Sequence, residues 1–421
     1  MKVLIEPATL SGTVAAIPSK SAVHRLLMAA ALAEGLSELA CPMVSEDMAA
    51  TARCLIALGA AVKIGGSVMA VSSPVTAGGE ALLDPGESGS TYRFFTPLAA
   101  ALGRETRFRL HGKLPSRPMD PLWDEMERHG VAIDGKRTAS PSLSGQLTSG
   151  RYRLRGDVSS QFFTGLLFAL PLLDGESCID AEGPLESAGY VDMTLEVLEK
   201  FSVQVIRKGN RFIVPGNQKY RTPGKLRAEG DWSNAAFWLC AGAARGAVDV
   251  TGLKFPTCQG DSAVMEFLRR FGARTSANGG VFRVASTDLH GAEVNVSATP
   301  DLVPALAVAA AAAHGTTHLT GAGRLRLKES DRIASVCGTL RALGGRAFSD
   351  GDSITVEGTG SLRGGCVDAC GDHRIAMMGA AASVLCSSPV VIDGAEAVDK
   401  SYPTFFDDFA ALGGTIRKEE S

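Results

Sequence analysis

The stretch Asp261-Ser262-Ala263-Val264-Met265-Glu266-Phe267-Leu268-Arg269-Arg270-Phe271-Gly272 reads as an aspartate-led helix that ends on a glycine, with a short strand pair to follow. A passage of the same design occurs six times in the chain. Its end markers are Gly59, Gly130, Ser202, Gly272, Gly344 and Gly413, spaced 71, 72, 70, 72 and 69 residues apart. Five copies carry an aspartate where the helix is expected to begin: Asp47, Asp120, Asp192, Asp261 and Asp331. Aspartate is a favoured N-cap because its carboxylate accepts from free backbone N–H groups, and Pro121 fits the first helical position after Asp120. A period this long and regular defines an internal repeat.

A second helix precedes the first in every copy, apolar and rich in small residues behind a polar start. The six starts are Ser19-Lys20-Ser21, Glu87-Ser88-Gly89-Ser90, Asp157-Val158-Ser159-Ser160-Gln161, Asp231-Trp232-Ser233-Asn234, Asp301 and Asp372-His373-Arg374. Segments such as 302–313 and 375–385 are apolar nearly all round, which predicts buried rather than amphipathic helices. None approaches the roughly 20 uninterrupted apolar residues of a membrane span. Each unit therefore reads strand, buried helix, strand, outer helix, strand, strand. The fold class is α/β, with three such βαβαββ repeats in each of two domains.

The ends of the chain are informative. The sixth copy stops one strand short after Thr415-Ile416-Arg417, and Lys2 to Ile5 form an orphan strand before the first copy. The economical solution is that residues 2–5 complete the sixth copy. One domain then comprises residues 1–12 with 230–421, and the other residues 13–229. The return crossing falls in the Pro/Gly/Lys-rich stretch 215–230. Two domains joined by two crossings are expected to hinge.

Composition narrows the class. A chain of 421 residues exceeds what one core normally supports. No charged segment followed by an apolar one marks a signal peptide, and a cytoplasmic location is expected. Nine cysteines without a Cys-x-x-Cys pair point to reduced thiols and away from zinc, with Cys366 and Cys370 structural. His314 and His318 have helical metal-ligand spacing, but Gly315-Thr316-Thr317 between them reads as turn and strand, so no metal and no cofactor is expected. A net charge of −3 gives no reason to expect nucleic acid. Gly321-Ala322-Gly323 lacks the third glycine of a dinucleotide fingerprint, and no nucleoside-triphosphate loop is present.

The cations are placed against their local electrostatics. Lys20, Arg25, Arg93 and Arg374 lie on buried helices near their starts, and Arg117, Lys328, Arg332 and Lys400 stand at outer-helix entrances. Helix N-termini carry roughly half a positive charge, so cations there are locally unfavourable and call for an anionic ligand. Taken singly, Lys328-Glu329-Ser330-Asp331-Arg332 reads equally as a solvated capping segment. Recurrence at equivalent positions in several copies turns the reading toward anion binding.

Pro18-Ser19-Lys20-Ser21-Ala22-Val23-His24-Arg25 resembles the Ser-Lys-Ser-x-x-x-Arg signature of the 5-enolpyruvylshikimate-3-phosphate synthase family. So do Gly89-Ser90-Thr91-Tyr92-Arg93, Arg117-Pro118, Val158-Ser159-Ser160-Gln161, the segment 324–332 and Asp372-His373-Arg374. The matches run in the family's order from about residue 12 to Lys400. The resemblance implies two domains of three repeats each, arranged as inside-out α/β barrels with the buried helices pointing at a cleft. It implies transfer of the enolpyruvyl group of phosphoenolpyruvate to the 5-hydroxyl of shikimate 3-phosphate.

By matching motif, the resemblance assigns Ser159, Ser160 and Ser187 to the shikimate phosphate, and Ser21 and Arg25 to its carboxylate. Lys20, Gln161, Asp301 and Lys328 complete the shikimate 3-phosphate set. Phosphoenolpyruvate is expected at Lys20, the Gly89 backbone, Arg117, Gln161, Arg332, Arg374 and Lys400. Asp301 is expected to bind and deprotonate the 5-hydroxyl, with Glu329 and Lys20 exchanging protons at the enol carbon and bridging oxygens. The two substrates bring two phosphate monoesters of about −1.5 to −2 each and two carboxylates. Lys20, Arg25, Arg117, Arg332, Arg374 and Lys400 are a matching set of cations, and guanidinium forks suit both anions. Partners other than these small molecules are not expected: no nucleic acid, no membrane, and a monomer. Glyphosate, the family's inhibitor, is expected at the phosphoenolpyruvate site.

Departures from the family's commonest pattern sit near the first two helices. Glu87 and His24 each stand where asparagine is frequent, and Ile17-Pro18 replaces proline-glycine. The nearest rival is the sister enzyme acting on UDP-N-acetylglucosamine, which has Lys-Asn where this chain has Lys20-Ser21 and a reactive loop cysteine. No cysteine lies between Cys54 and Cys178. A catalytically silent anion-binding paralogue has little use for both Asp301 and Glu329.

Overall fold

The computed structural model describes residues 1–72 and 74–419. The chain divides into two compact units, Met1–Ile17 with Glu229–Ser421, and Pro18–Ala228. Among the described residues each unit holds three four-stranded sheets of one design: two parallel strands, then two antiparallel strands laid onto the second. In the Pro18–Ala228 unit, for example, Arg151–Arg155 runs parallel to Ser177–Glu182, which pairs with Arg211–Val214 and then Ile206–Lys208.

Two of the six sheets take their first strand from a crossing segment. Lys225–Arg227 pairs in parallel with Ser37–Ala40, whereas Leu10–Ala15 pairs in parallel with Gly246–Thr251. That second ladder, continued by Ala16 N donating to the Thr251 carbonyl and Asp231 N to the Ile17 carbonyl, holds residues 13–17 in the unit with residues 229–421, so the crossing falls at Ile17–Pro18 rather than after residue 12. The return crossing is at Ala228–Glu229. Lys2–Glu6 lies between Val390–Asp393 and Thr415–Glu419, antiparallel to both, and so occupies the missing place in the sixth sheet. No sheet closes on itself among the described residues. The third strand of each repeat ends its sheet as an edge, and the next repeat starts a new one.

The markers that define the period have one backbone reason. Gly59, Gly130, Gly272, Gly344 and Gly413 have φ between 87° and 101°, and Ser202 has φ 63°. Each follows the last turn of an outer helix in the left-handed region, which costs glycine nothing and an L side chain about 1–2 kcal/mol. The aspartate caps are largely corrected. Only Asp331 caps, accepting from Ala334 N at 3.2 Å. Ser45 caps the first outer helix and leaves Asp47 inside the first turn, Asp120 is itself the first helical residue, and Asp192 lies within the helix Ala188–Lys200. Asp261 sits in a 3-10 turn ahead of Val264–Arg270. The helices at Asp47, Asp120 and Asp192 start one to five residues earlier than the acids suggest, and the α-helix after Asp261 starts later, so these carboxylates are left to other partners.

The six buried helices are Lys20–Leu32, Gly89–Ala101, Ser160–Ala169, Trp232–Ala244, Val303–Ala312 and His373–Ala382. All ten residues of Val303–Ala312 are buried. Ser160–Ala169 carries three phenylalanines and a glycine, poor helix formers that cost about 0.5–1 kcal/mol each. Burying each Phe or Leu contributes about 1.5–3 kcal/mol, so packing outweighs propensity. In the unit containing residues 229–421, the three buried helices pack on one another. In the other, Gly89–Ala101 packs on Ser160–Ala169.

Candidate active site

Five of the six buried helices begin on a side chain that accepts from the first turn: Ser19, Ser88, Ser159, Asp231 and Asp372. The fifth begins through a 3-10 turn, Pro300–Leu302, which carries Asp301. These starts gather the polar residues of each unit.

In the Pro18–Ala228 unit, Lys20 Nζ lies 2.6 Å from Asp47, so this aspartate holds a helix-start cation instead of capping a helix. Arg25 is 2% exposed. Its Nε donates to Thr194, Nη1 to the Ser21 carbonyl, and Nη2 to Thr164 and the Tyr190 carbonyl, at 2.8–3.1 Å. Burial pushes its guanidinium down to about 10. Arg25 is thus chiefly a brace, with one N–H of its fork left for a carboxylate. Ser21 lies beside it on the same helix, half-buried.

Around Gly89 the arrangement is different. A methyl group on Gly89 would stand 2.7 Å from Arg117 Nη1 and 3.0 Å from Arg93 Nη1, so two guanidinium groups lie against its backbone. Arg93 donates to Gln161 Oε1 at 2.7 Å and to the Pro118 carbonyl at 3.0 Å, and Gln161 donates to Ser90 at 2.8 Å. Gly89, Arg117 and Gln161 are therefore brought together as expected. Arg93, a helix-start cation in the same motif as Gly89, joins them. Glu87 turns its carboxyl group onto Gly112, 2.5 Å from where a Cβ there would stand. Ser160 opens the third buried helix, and Ser187 stands at the start of Ala188–Lys200 in the left-handed region, φ 55°. Ser159 accepts from Gln161 N at 3.3 Å.

In the other unit the central group is Arg332, 1% exposed. Its Nε and Nη2 grip Asp372 at 2.7 and 3.1 Å, Nη1 meets Asp301 at 2.7 Å, and Nη2 meets Glu329 at 2.7 Å. Lys328 Nζ lies 3.1 Å from Asp301, and Arg374 donates to the Asp301 carbonyl at 3.0 Å. Lys400 Nζ donates to the Gly371 carbonyl at 2.8 Å. Burial would raise the Asp301 carboxyl, but Lys328, Arg374 and Arg332 outweigh it and hold it well below the usual carboxylate range. Burial pushes the Lys328 ammonium down to about 8, against the pull of Asp301. Asp261, buried, accepts from Ser233, and burial with the nearby Asp301 charge pushes its carboxyl up to about 6. The two carboxylates expected to do chemistry, Asp301 and Glu329, are thus bridged by one buried guanidinium. Arg332, expected at phosphoenolpyruvate, spends four of its five N–H groups on three carboxylates here. Asp372 and Asp261 were missed as members of this cluster, because nothing in their local sequence separates a cap from an ion-pair partner.

Buried cations at helix starts, with carboxylates among them, define an enzyme that handles phosphorylated, carboxylated substrates on this two-unit repeat fold. The family model for EPSP synthase (3-phosphoshikimate 1-carboxyvinyltransferase) matches residues 5–409. A 3-phosphoshikimate 1-carboxyvinyltransferase of Clostridium kluyveri is 42% identical over 420 residues, covering 98% of each chain. The EPSP synthase structure from Acinetobacter baumannii superposes with a TM-score of 0.79 at 27% identity, covering 99% of this chain and 100% of that one. The fold extends to the enolpyruvyl transferase NikO from Streptomyces tendae, TM-score 0.81 at 19% identity. The chain belongs to the EPSP synthase family. Its reaction is transfer of the enolpyruvyl group of phosphoenolpyruvate to shikimate 3-phosphate in the shikimate pathway, which sets aside the sister activity on UDP-N-acetylglucosamine.

Proposed function

We propose that the two units divide the reaction. The Pro18–Ala228 unit supplies anion holding: Ser159, Ser160 and Ser187 for the shikimate phosphate, Ser21 and Arg25 for its carboxylate, and Lys20, Gly89, Arg117 and Gln161 for phosphoenolpyruvate. The other supplies most of the proton chemistry through Asp301 and Glu329, with Lys328, Arg332, Arg374 and Lys400 as cations; Lys20 of the first unit shares the proton exchange at the bridging oxygen. The observation that carries this reading is the bridging of Asp301 and Glu329 by Arg332, with Lys328 and Arg374 on the same Asp301.

The electrostatics make catalysis conditional on substrate. With the cations turned on Asp301, its carboxylate is a weak base. Anionic substrates that take a share of Lys328, Arg374 and Arg332 weaken that hold, and Asp301 gains proton affinity as the 5-hydroxyl arrives. Glu329 then delivers a proton to the enol methylene as the 5-oxygen, its proton passed to Asp301, bonds to the adjacent carbon, a general acid step worth about 10²–10⁴-fold. Return of a methyl proton to Glu329, with Lys20 protonating the bridging oxygen, breaks the bond to phosphate and restores the enol ether. Water kept from the oxocarbenium-like species preserves it for the 5-hydroxyl. The working form we propose is a cytoplasmic monomer. Among the described residues no helix is long and apolar enough to cross a membrane. Phosphate release with shikimate 3-phosphate and phosphoenolpyruvate tests the reading: dependence on both substrates is expected, and release without shikimate 3-phosphate would overturn it.

A further inference from the structure

Four side chains outside the proposed ligand set form a continuous buried chain in the Pro18–Ala228 unit. His24 Nδ1 lies 2.7 Å from Thr51 Oγ1, and Thr51 Oγ1 lies 2.7 Å from Thr91 Oγ1. Thr91 Oγ1 donates to Ser88 Oγ at 2.8 Å. None of the four is more than 1% exposed. Ser88 also accepts from Thr91 N at 3.3 Å as the cap of the second buried helix, and Gly89 follows it directly. The chain thus runs from the first buried helix, through the outer helix Glu46–Ala57, to the backbone on which Arg93 and Arg117 converge.

Its polarity follows from the donor inventory. A neutral imidazole has one N–H and one lone pair. Nε2 of His24 is buried with no hydrogen-bond partner among the described residues. An orphaned N–H there is the rarer and costlier state than a bare lone pair. Burial, with Lys20 and Arg25 nearby, holds the ring well below the usual histidine range, hence neutral, and the same cations favour a lone pair at Nε2. Nδ1 therefore donates to Thr51, Thr51 to Thr91, and Thr91 to Ser88.

We propose that His24, Thr51 and Thr91 are positioning residues, a one-way chain of donors that fixes the Ser88 cap and so sets how tightly Gly89 and its guanidinium groups hold phosphoenolpyruvate. This rests on placing phosphoenolpyruvate at Gly89. Nitrogen-15 NMR of the full-length protein with labelled histidine is expected to show His24 neutral with the proton on Nδ1; an Nε2–H tautomer or an imidazolium at neutral pH overturns the chain. Thr51→Val, close in shape but without the hydroxyl, is expected to raise the KM for phosphoenolpyruvate about three- to tenfold, the effect of one buried hydrogen bond, and to leave the Kd for shikimate 3-phosphate unchanged. Thr51→Ser is expected to restore the KM. Thr91→Val removes the donor to Ser88 itself; the double variant Thr51→Val with Thr91→Val is expected to cost no more than Thr91→Val alone, because Thr51 then has no link left to act through. Additive losses, or equal losses for both substrates, mean packing alone and overturn the role. Arg117→Ala tests the site assignment separately: an unchanged KM for phosphoenolpyruvate overturns that assignment and the role built on it.

Discussion

Glu329 and Lys328 make opposite demands on a measurement. Glu329→Gln keeps the shape and a hydrogen bond toward Arg332 but removes the acid. Turnover is expected to fall at least about a hundredfold with shikimate 3-phosphate binding nearly intact. Near-normal turnover would remove Glu329 from the chemistry. Lys328, pushed down to about 8, should lose its proton just above neutrality. An anion prefers the ammonium, so shikimate 3-phosphate affinity is expected to decline above about pH 8, and calorimetry across pH 7–9 would show it. A flat profile, or one unchanged in Lys328→Met, refutes the assignment. Folding shifts the other way. Between about 8 and 10.5 the unfolded chain binds the extra proton, so this group's share of stability rises with pH. Gly89→Ala adds a methyl 2.7 Å from Arg117 Nη1, so the guanidinium must move. The KM for phosphoenolpyruvate should rise, and the inhibition constant of glyphosate, the longer molecule, by a larger factor. Equal factors in parallel assays would remove the steric argument. Lys20, Gly89 and Glu329 were legible as candidates because each sits in a short motif with its own polar signature, and Asp301 only as a buried-helix start. Arg93 beside Arg117, and Asp372 under Arg332, were not, since their roles are set by neighbours 24 and 40 residues away.

Helix ends were more legible than helix starts. An outer helix can turn out of its last residue at little cost only through a left-handed position, and that demand selects glycine almost regardless of context. Starts offer several capping solutions, so Ser45 displaced Asp47 and Asp192 was drawn to Arg207 instead. Ser202 is the exception among the markers, a serine at φ 63°. Ser202→Gly is expected to stabilise by about 0.5–1 kcal/mol, after glycine's greater unfolded-state freedom is set against the relieved strain. For a unit of this size that is about 1–4 °C in Tm by thermal unfolding. Ser202→Ala should bring no gain. A glycine variant no more stable than wild type would refute strain at this turn.

At the scale of the whole molecule, the proposed ligand set draws Ser159 and Ser160 from one unit and Asp301 and Glu329 from the other. A ligand shifts a conformational population only through contacts it makes better in one state. Under that proposal shikimate 3-phosphate engages both sets, and it is expected to lower the radius of gyration in small-angle scattering. An extended chain whose radius stays unchanged at saturation would refute the division of labour. The period near 70 residues, the buried helices and the two-unit plan could be read in advance, because 3.6-residue and two-residue periodicity and the chirality of helix ends act within a few residues. Which strand entered which sheet could not. Leu10–Ala15 joins Gly246–Thr251, and Lys225–Arg227 joins Ser37–Ala40, through ladders more than 180 residues apart in sequence. The same holds for Asp301, held ionised by Lys328, Arg332 and Arg374. A carboxylate's charge state depends on which cations lie within a few ångströms, and distance in space is decided only when the repeats fold together.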